Sequence, residues 1–334
     1  MIKIFTTDFQ NPWEYTYLQD QLGSDYVLEQ VHDLSKPDLS AAKAEVLCVF
    51  VMDSLQAEAI KKYPNLKLIT TRSTGFDHID SSYAKTAGIT VCNVPAYGDN
   101  TVAEHTFALI LSLSRNLRKA YQQVLKGDYS LEGLLGFDLK NKTIGIVGTG
   151  KIGLRVIQIA RGFSMNVLAY DSYPNTFMAD VLGYRYVSFP ELLSQADVIS
   201  LHAPYSQATR HLINKNNINL IKRQPLLINT ARGGLIETEA LIKALDTGII
   251  SGAGLDVIEC EELLLNAEDF RLAKACDCGK HAQLIQAMNI LKRENVIFTP
   301  HMAFNSKEAV QRILDTTVEN IRSFFSGDPK NVVS

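Results

Sequence analysis

Three side chains able to bind an anion or move a proton each follow an apolar, strand-like run in this sequence. A guanidinium clamps a carboxylate and polarises a carbonyl, an imidazolium delivers a proton to an alkoxide, and a carboxylate orients that imidazolium and favours its charge. Ligands of a doubly wound sheet bind beyond the carboxyl ends of its strands, so side chains at these ends can converge. Reduction of a 2-oxo acid by hydride needs these residue types. The three residues are Arg232 after Leu226–Asn229, Glu261 after Gly252–Val257, and His301 after Val296–Thr299.

A glycine-rich turn predicts a dinucleotide site. Gly148, Gly150 and Gly153 form a G-x-G-x-x-G pattern, with Thr149, Lys151 and Ile152 between them, after an apolar strand and at the start of a helix. Such glycines permit a tight turn, a close approach of a pyrophosphate and close helix–strand packing. Asp171 ends the next strand, where a carboxylate accepts hydrogen bonds from ribose hydroxyls and repels a 2′-phosphate. No arginine follows in Ser172–Pro174, so the turn favours NAD over NADP.

Taken singly, each of these residues also has an ordinary structural interpretation. An arginine often makes a surface ion pair, Glu261 stands in an acidic run that water could solvate, and a single histidine is often a structural group. A glycine turn can likewise be structural only. The combination of the turn, the acid and the three strand ends favours the functional interpretation.

The elements that would position these residues alternate between strand and helix. Apolar runs are separated by helical patterns such as Leu55–Tyr63, Ser81–Ala87, Ile152–Arg161, Pro190–Gln195 and Glu237–Asp246. This alternation predicts an α/β protein with two doubly wound, parallel-sheet (Rossmann-like) domains. A single long helix is expected over Asn100–Lys126, and an amphipathic helix over Ser306–Phe325 that crosses back onto the first unit. The strand candidates are Ile2–Thr6, Val46–Val51, Leu66–Thr71, Ile89–Val94, Thr143–Val147, Asn166–Tyr170, Tyr184–Val187, Asp197–Leu201, Leu226–Asn229, Gly252–Val257 and Val296–Thr299.

Composition excludes several classes of partner. The net charge is −3 with no strongly basic segment, which argues against nucleic acid. No apolar run approaches the roughly 20 residues that span a bilayer, and the N-terminus does not resemble a signal peptide, so a membrane is not expected as a partner. Five cysteines without a framework spacing favour a reducing cytoplasm.

The stretch 262–289 interrupts the strand–helix rhythm and is interpreted as an insertion. It contains Cys276, Cys278 and His281. A structural zinc site needs four ligands, so free thiols are the preferred interpretation and no metal is predicted.

These residues together resemble the D-isomer-specific 2-hydroxyacid dehydrogenase family, and the resemblance runs from end to end. Within it the sequence is most similar to the D-lactate dehydrogenases, because of Tyr97 after Val-Pro-Ala, the acidic Glu259–Glu262 with its insertion, and the Pro-His-x-Ala-Phe ending. The segments that carry the resemblance are Ser73–Asp80, Val94–Tyr97, Val102–His105, Gly148–Gly153, Leu201–Pro204, Asn229–Gly233, Asp256–Glu261 and Thr299–Phe304.

The resemblance implies a role for each matching residue. Arg232 matches the substrate-binding arginine, His301 the acid/base, and Glu261 its partner, because it lies five residues after Asp256. Thr74 and Gly75 match the turn that holds the substrate carboxylate through backbone N–H groups, and Tyr97 and Phe304 match pocket-lining aromatics. Arg232 and His301 count among the expected substrate and cofactor contacts. The other expected cofactor contacts are His202, Ala203, Pro204, Thr230, Ala231 and Asp256.

The family fold implies a discontinuous substrate domain, 1–100 with 301–334, around an NAD-binding domain, 101–300. Family members are usually homodimers, with the helices after the last strand of the substrate domain at the interface. The activity implied is interconversion of a 2-oxo acid and a D-2-hydroxy acid with NAD, with pyruvate and D-lactate as the expected pair.

Alternatives remain open. The substrate could be 2-hydroxyisocaproate, glycerate or another 2-hydroxy acid, because Gly98–Asn100 and Met52 depart from the pattern of lactate dehydrogenases. Phosphoglycerate dehydrogenase fits less well because there is no room for a regulatory domain after Phe325, and formate dehydrogenase because it pairs the histidine with glutamine. A non-catalytic NAD-sensing scaffold, as in the C-terminal-binding-protein corepressors, is the rival class. Reduction of pyruvate separates it from an enzyme.

Overall fold

Alternating strands and helices build two separate parallel sheets. The computed structural model describes residues 1–7, 9, 11–31, 34, 43–51, 53–259, 261, 285–286 and 288–333. The chain divides into a discontinuous unit, Met1–Tyr97 with Asn305–Ser334, and a central unit, Gly98–Phe304. The prediction of an α/β fold with two parallel, Rossmann-like sheets is confirmed.

The discontinuous unit has a five-stranded sheet of order β2-β1-β3-β4-β5. All of its pairings are parallel. Strands β3 and β4 are buried along their whole length, as expected of strands covered on both faces. The final helix, α10, belongs to this unit and packs beside β4 and α1, where Asn320 donates to the Asn93 carbonyl at 2.9 Å. The elements are β1 (Ile2–Thr6), α1 (Pro12–Leu22), β2 (Tyr26–Gln30), β3 (Val46–Val49), α2 (Ala57–Ile60), β4 (Leu68–Thr71), α3 (Ser81–Thr86), β5 (Thr90–Cys92) and α10 (Lys307–Phe325).

The central unit has a seven-stranded parallel sheet of order β12-β11-β10-β9-β6-β7-β8. The order reverses between β6 and β9, so a crevice opens at their carboxyl ends, and this is where doubly wound sheets bind ligands. Its elements are α4 (Asp99–Ser114), α5 (Leu117–Leu125), β6 (Thr143–Val147), α6 (Lys151–Gly162), β7 (Asn166–Tyr170), α7 (Thr176–Leu182), β8 (Arg185–Tyr186), α8 (Phe189–Gln195), β9 (Val198–Leu201), β10 (Leu226–Asn229), α9 (Thr238–Asp246), β11 (Gly252–Leu255) and β12 (Val296–Phe298).

The prediction of one helix over Asn100–Lys126 is wrong. The helix ends at Ser114, and a second one begins at Leu117. Asn116 between them has a φ of 51°, a left-handed conformation that asparagine tolerates better than most residues and that a helix cannot contain. The freed Ser114 carbonyl accepts the Phe137 N–H at 2.9 Å, so the break is anchored by a later segment.

Two features noted in the sequence fall on residues that the structure does not describe. Met52 and the cysteine-containing part of the insertion, 262–284, lie outside the described residues. In the part that is described, no group of three or more His, Cys, Asp or Glu could hold a metal ion. Likewise, no helix among the described residues is long and apolar enough to cross a membrane.

Candidate active site

The three glycines of the turn after β6 have three different environments. Gly148 has a φ of 96°, and a Cβ there would lie 2.7 Å from the Ala203 nitrogen. A Cβ on Gly153 would lie 2.1 Å from the Gly148 carbonyl oxygen, so helix α6 can pack on the turn only with glycine there. Gly150, the N-cap of α6, has open space where its Cβ would be. This open side lies at the start of a helix, where the first N–H groups have no partner within the helix itself, and it fits a dinucleotide pyrophosphate.

Asp171, which follows β7, already accepts hydrogen bonds from the glycine turn. Its Oδ2 accepts from the Thr149 N–H at 2.6 Å and the Thr149 hydroxyl at 2.9 Å, and its Oδ1 accepts from the Tyr173 N–H at 2.8 Å. Burial acts to raise the pKa of Asp171, but these donors outweigh it and hold the pKa below its ordinary value. The carboxylate is therefore ionised at neutral pH, as a ribose-binding acid must be.

The segment after β9 forms the opposite wall of the crevice. The His202 N–H donates to the Val147 carbonyl at 2.7 Å, and its ring Nε2 lies 2.8 Å from the Ser200 hydroxyl. Burial lowers the pKa of His202 to about 3, so its imidazole is neutral at physiological pH. Ala203 is half-buried and Pro204 is exposed. This wall thus carries no charge toward a bound cofactor.

The turn after β10 presents Arg232. The Asn229 amide spans the turn, accepting from the Ala231 N–H at 3.1 Å and donating to the Arg232 carbonyl at 2.9 Å. The next residue, Gly233, lies so close to the segment after β11 that a Cβ would come within 2.1 Å of the Ile258 carbonyl carbon. The backbone that carries Arg232 is therefore packed directly against the segment that leads to Glu261.

His301 and Glu261 form a hydrogen-bonded pair. His301 Nδ1 lies 2.8 Å from Glu261 Oε1, and the two side chains are 18% and 19% exposed. His301 has a φ of 51°, unusual for a residue with a side chain, so something must hold its backbone there.

Asp256 supplies that restraint. Its carboxylate is 1% exposed and accepts from the Thr299 hydroxyl at 2.5 Å, the Met302 N–H at 2.9 Å and the Ala303 N–H at 2.8 Å. Its own carbonyl accepts the His301 N–H at 2.8 Å. Residues on both sides of His301 are thus bonded to one aspartate, which fixes the strained turn. The resemblance suggested a cofactor contact for Asp256, and the structure adds this second role.

Helix α4 contributes two residues that were not among the expected site residues. His105 Nε2 lies 2.9 Å from the Thr299 hydroxyl, and the Thr106 hydroxyl lies 3.0 Å from that of Thr230. Burial lowers the pKa of His105, although the nearby Asp256 carboxylate acts to raise it. Adjacent helical residues therefore contact both the arginine turn and the histidine turn. His105 stood in the motif Val102–His105, so the sequence held a signal for it.

A second histidine–carboxylate pair lies beside the first. His211 Nε2 is 2.6 Å from Glu259 Oε1, while Glu259 Oε2 accepts from the Thr238 N–H at 2.9 Å and its hydroxyl at 2.6 Å. Of the acids in the run after β11, Glu259 is thus bonded to His211 and Glu261 to His301, and Glu262 lies outside the described residues. No spacing in the sequence signals His211, which the fold brings to Glu259 across 48 positions.

The expected substrate-binding residues of the N-terminal half lie in the discontinuous unit. The Thr74 hydroxyl donates to the Val94 carbonyl and the Asn93 amide donates to the Thr74 carbonyl, both at 2.7 Å. The Ser73 hydroxyl donates to the Gly75 carbonyl, also at 2.7 Å. The Tyr97 carbonyl accepts from Arg312 at 2.6 Å. Phe304 belongs to the central unit and is half-buried. The Thr74–Gly75 turn is therefore braced through its carbonyls.

Comparison with known proteins identifies the family. The family model described as D-isomer specific 2-hydroxyacid dehydrogenase, NAD binding domain, matches residues 107–303. The D-lactate dehydrogenase of Escherichia coli is 36% identical, with 86% of each chain covered. The aromatic 2-oxoacid reductase of Clostridium sporogenes is 38% identical, with 84% of this chain and 82% of that one covered.

A solved structure supports the same conclusion. The D-lactate dehydrogenase of Aquifex aeolicus, complexed with NAD and lactic acid, is 40% identical and superposes with a TM-score of 0.88 over 97% of this chain and 96% of that one. The open side of Gly150 and the ionised Asp171 fit the same dinucleotide. The chain belongs to the D-isomer-specific 2-hydroxyacid dehydrogenase family, and its cofactor is NAD.

Proposed function

We propose that this dehydrogenase interconverts pyruvate and D-lactate, with Arg232, His301 and Glu261 as its catalytic residues. The observation that carries the proposal is the 2.8 Å pair between His301 and Glu261, formed at the same edge of the sheet that presents Arg232. An acid/base with its carboxylate partner beside an anion-binding guanidinium is what reduction of a 2-oxo acid requires.

The pairing determines which ring nitrogen of His301 transfers the proton. A carboxylate only accepts hydrogen bonds, so Nδ1 carries a hydrogen toward Glu261. Nε2 is then the atom that gives its proton to the carbonyl oxygen during reduction and takes it back during oxidation. Glu261 stabilises the imidazolium that reduction needs as its starting state.

Arg232 has the complementary task of binding and polarising the substrate. Its guanidinium holds the substrate carboxylate and stabilises the negative charge that grows on the carbonyl oxygen. Bound NADH supplies the hydride for the carbonyl carbon. The sum is pyruvate, NADH and one proton giving D-lactate and NAD⁺, which balances in atoms and electrons.

The substrate assignment depends on pocket size. Tyr97 and Phe304 match pocket-lining aromatics, and two such rings favour a short 2-oxo acid. Each methylene that a pocket accepts or rejects is worth roughly 1–3 kcal/mol. The names of the Escherichia coli and Aquifex aeolicus relatives support lactate, and the name of the Clostridium sporogenes relative keeps aromatic 2-oxo acids as the second candidate. Thr74 and Gly75 are proposed to hold the substrate carboxylate in the discontinuous unit.

The test is oxidation of NADH with a panel of 2-oxo acids: pyruvate, hydroxypyruvate, 2-oxoisocaproate and phenylpyruvate. We expect the highest kcat/KM for pyruvate, and oxidation of D-lactate but not L-lactate in reverse. Phe304→Ala should shift preference toward 2-oxoisocaproate. A wild-type preference for a branched or aromatic acid contradicts the lactate assignment, and no turnover of any acid favours an NAD-binding scaffold.

A second copy of the chain is the proposed partner. Helix α5 has no buried residue, and its apolar side chains continue into an exposed segment that follows it. Large apolar side chains left exposed together in one stretch of sequence are typical of an interface. We expect a homodimer by light scattering, dissociated by Tyr121→Glu. The proposed location is the cytoplasm, because the five cysteines have no framework spacing. The exposed residues are Leu117, Tyr121, Val124, Leu125, Tyr129, Leu131 and Leu135.

A further inference from the structure

Behind Asp171 the structure contains a chain of three hydroxyl groups. The Thr149 hydroxyl lies 2.8 Å from that of Tyr186, which lies 3.0 Å from that of Tyr184. Tyr186 also accepts the Asn175 N–H at 3.0 Å. Thr149 and Tyr184 are buried and Tyr186 is half-buried, so their hydrogen bonds are made mainly to one another.

The direction of every bond in this chain follows from the number of protons. The Asp171 carboxylate can only accept, so the single Thr149 hydroxyl proton is used on Oδ2. Thr149 must then accept from Tyr186, and Tyr186 must accept from Tyr184. With the Asn175 N–H as its second donor, the Tyr186 oxygen is fully used. All three hydroxyl protons therefore point toward Asp171.

This arrangement leaves no vacancy on Oδ2. A carboxylate oxygen accepts about two hydrogen bonds, and Oδ2 has two already, from the N–H and the hydroxyl of Thr149. A ribose hydroxyl can bond to Oδ2 only if the Thr149 hydroxyl turns away. Its oxygen lies 2.8 Å from that of Tyr186, so the proton can rotate to this acceptor without movement of heavy atoms once the Tyr186 and Tyr184 protons have turned the other way.

We propose that the Thr149 hydroxyl stands in for a ribose hydroxyl on Asp171 in the free enzyme, and that the chain Tyr184–Tyr186–Thr149 reverses its direction when NAD binds. In the reversed state Thr149 donates to Tyr186, Tyr186 donates to Tyr184, and the Tyr184 proton turns away from Tyr186. Tyr186 is thus a positioning residue for cofactor binding, acting through Thr149. The proposal rests on the proposed role of Asp171 as the ribose-binding acid.

This chain of hydroxyl groups has a physical advantage over a carboxylate without such neighbours. In the free enzyme Asp171 is never left without donors, and in the complex Thr149 is never left without an acceptor. An unpartnered buried polar group is costly, so exchanging one partner for another keeps the cofactor site ready to bind. Without the Tyr186 hydroxyl, the displaced Thr149 hydroxyl would lose the acceptor that lies 2.8 Å from it.

A double-mutant cycle tests this directly, with the dissociation constant for NADH measured by fluorescence in the absence of substrate. Tyr186→Phe should weaken NADH binding about tenfold, the scale of one hydroxyl left without a partner. Thr149→Val removes the hydroxyl that must be displaced, and because Thr149 lies in the cofactor turn, its own effect on NADH affinity is measured as the second side of the cycle. In the double variant the Tyr186→Phe penalty should disappear.

Three comparisons make the outcome decisive. Thr149→Ser keeps the hydroxyl and should retain the full Tyr186→Phe penalty, and Thr149→Ala replaces the valine variant if that protein does not fold. Asp171→Asn tests the ribose assignment separately: an unchanged NADH affinity there overturns that assignment. If Asp171→Asn weakens binding but the penalty of Tyr186→Phe persists beside Thr149→Val, the reversal is wrong and the ribose assignment stands.

Discussion

His301 Nδ1 lies 2.8 Å from Glu261 Oε1, while the neighbouring Glu259 is bonded to His211 at 2.6 Å. Two acids separated by a single residue thus have two different histidine partners. The proposed catalytic role of Glu261 can therefore be tested against Glu259, which makes a similar bond to a histidine outside the proposed catalytic residues.

The first prediction concerns the pH dependence of Glu261→Gln. The amide keeps an acceptor but removes the charge that favours the imidazolium. As the pH is raised, reduction should therefore stop at a lower pH than in wild type. The upper limb of kcat/KM for pyruvate should thus move to lower pH. Glu259→Gln is the matched control and should keep the wild-type limb. If both variants keep it, Glu261 is not the partner.

The second prediction concerns cofactor choice. Asp171 has a lowered pKa and is ionised, so it repels the 2′-phosphate of NADPH. We expect kcat/KM for NADH to exceed that for NADPH at least about tenfold, which corresponds to about 1.4 kcal/mol. Asp171→Asn should reduce this ratio mainly by losing activity with NADH. Equal use of both cofactors by the wild-type enzyme would refute the prediction.

The third prediction separates two glycines of one turn. A Cβ on Gly150 meets nothing within 4 Å, so Gly150→Ala should fold with a wild-type Tm but bind NADH at least about tenfold more weakly. A Cβ on Gly153 would meet a carbonyl oxygen at 2.1 Å, so Gly153→Ala should be destabilised by about 1–3 kcal/mol or more. Thermal unfolding without cofactor and NADH titration give the two readouts. Loss of stability in both variants would mean that the open side of Gly150 is needed for folding.

The fourth prediction concerns the restraint on His301. Thr299→Val removes a 2.5 Å hydrogen bond to Asp256 and the partner of His105. The His301 turn should loosen, so kcat should fall about tenfold while the dissociation constant for NADH changes little. Thr299→Ser, which keeps the hydroxyl, should restore kcat. If Thr299→Ser does not restore kcat, the hydroxyl alone does not hold the His301 turn and the prediction is wrong.

The fifth prediction concerns stability and pH. Burial acts to raise the pKa of Glu259, but bonds from Thr238 and His211 outweigh it and lower the pKa below its ordinary value. A depressed carboxyl pKa contributes stability that is present above the unfolded-state pKa of about 4.3 and is lost as pH falls through the folded-state pKa. Glu259→Gln should cost about 1–3 kcal/mol at pH 7 and much less under acid conditions, measured by urea unfolding.

The exposed pair Glu58–Lys61 supplies the control for that measurement. Its carboxylate also has a lowered pKa, chiefly through the hydrogen bond from Lys61, but both groups are solvated. Glu58→Gln should therefore leave the urea midpoint unchanged at either pH. If Glu58→Gln lowered the urea midpoint as much as Glu259→Gln does, burial of the Glu259 carboxylate would have no special effect on stability.

Local sequence patterns predicted the elements better than the contacts between them. Runs of Val, Ile and Leu gave Ile2–Thr6 and Thr143–Val147 with the bounds that the structure has, because buried parallel strands have one dominant composition. Strand Tyr26–Gln30 was missed, since its half-buried glutamate and exposed glutamine weaken the apolar signal. The break at Asn116 was missed because a single left-handed residue leaves the surrounding helical pattern intact.

In the candidate site too, the sequence predicted positions along the chain better than contacts between distant segments. Placing Arg232, Glu261 and His301 at strand ends was possible because a doubly wound sheet gathers those ends at one edge. The partners His105, His211 and Tyr186 could not be assigned, since each bond joins segments far apart in sequence and only the fold determines its geometry. Hydrogen-bond partners outside the strand ends follow from three-dimensional packing, for which one sequence carries no spacing rule.

The discontinuous unit has a consequence for the order of folding during synthesis. Its sheet is made from the first 97 residues, but helix α10, which packs on that sheet, begins at Lys307. Strand β5 also pairs at Cys92 with Val332. On the ribosome, the uninterrupted central unit can therefore complete its core before the unit that emerged first. Until the last helix is made, the part of the early sheet that this helix covers stays exposed, and this interval is when the chain most needs protection from aggregation.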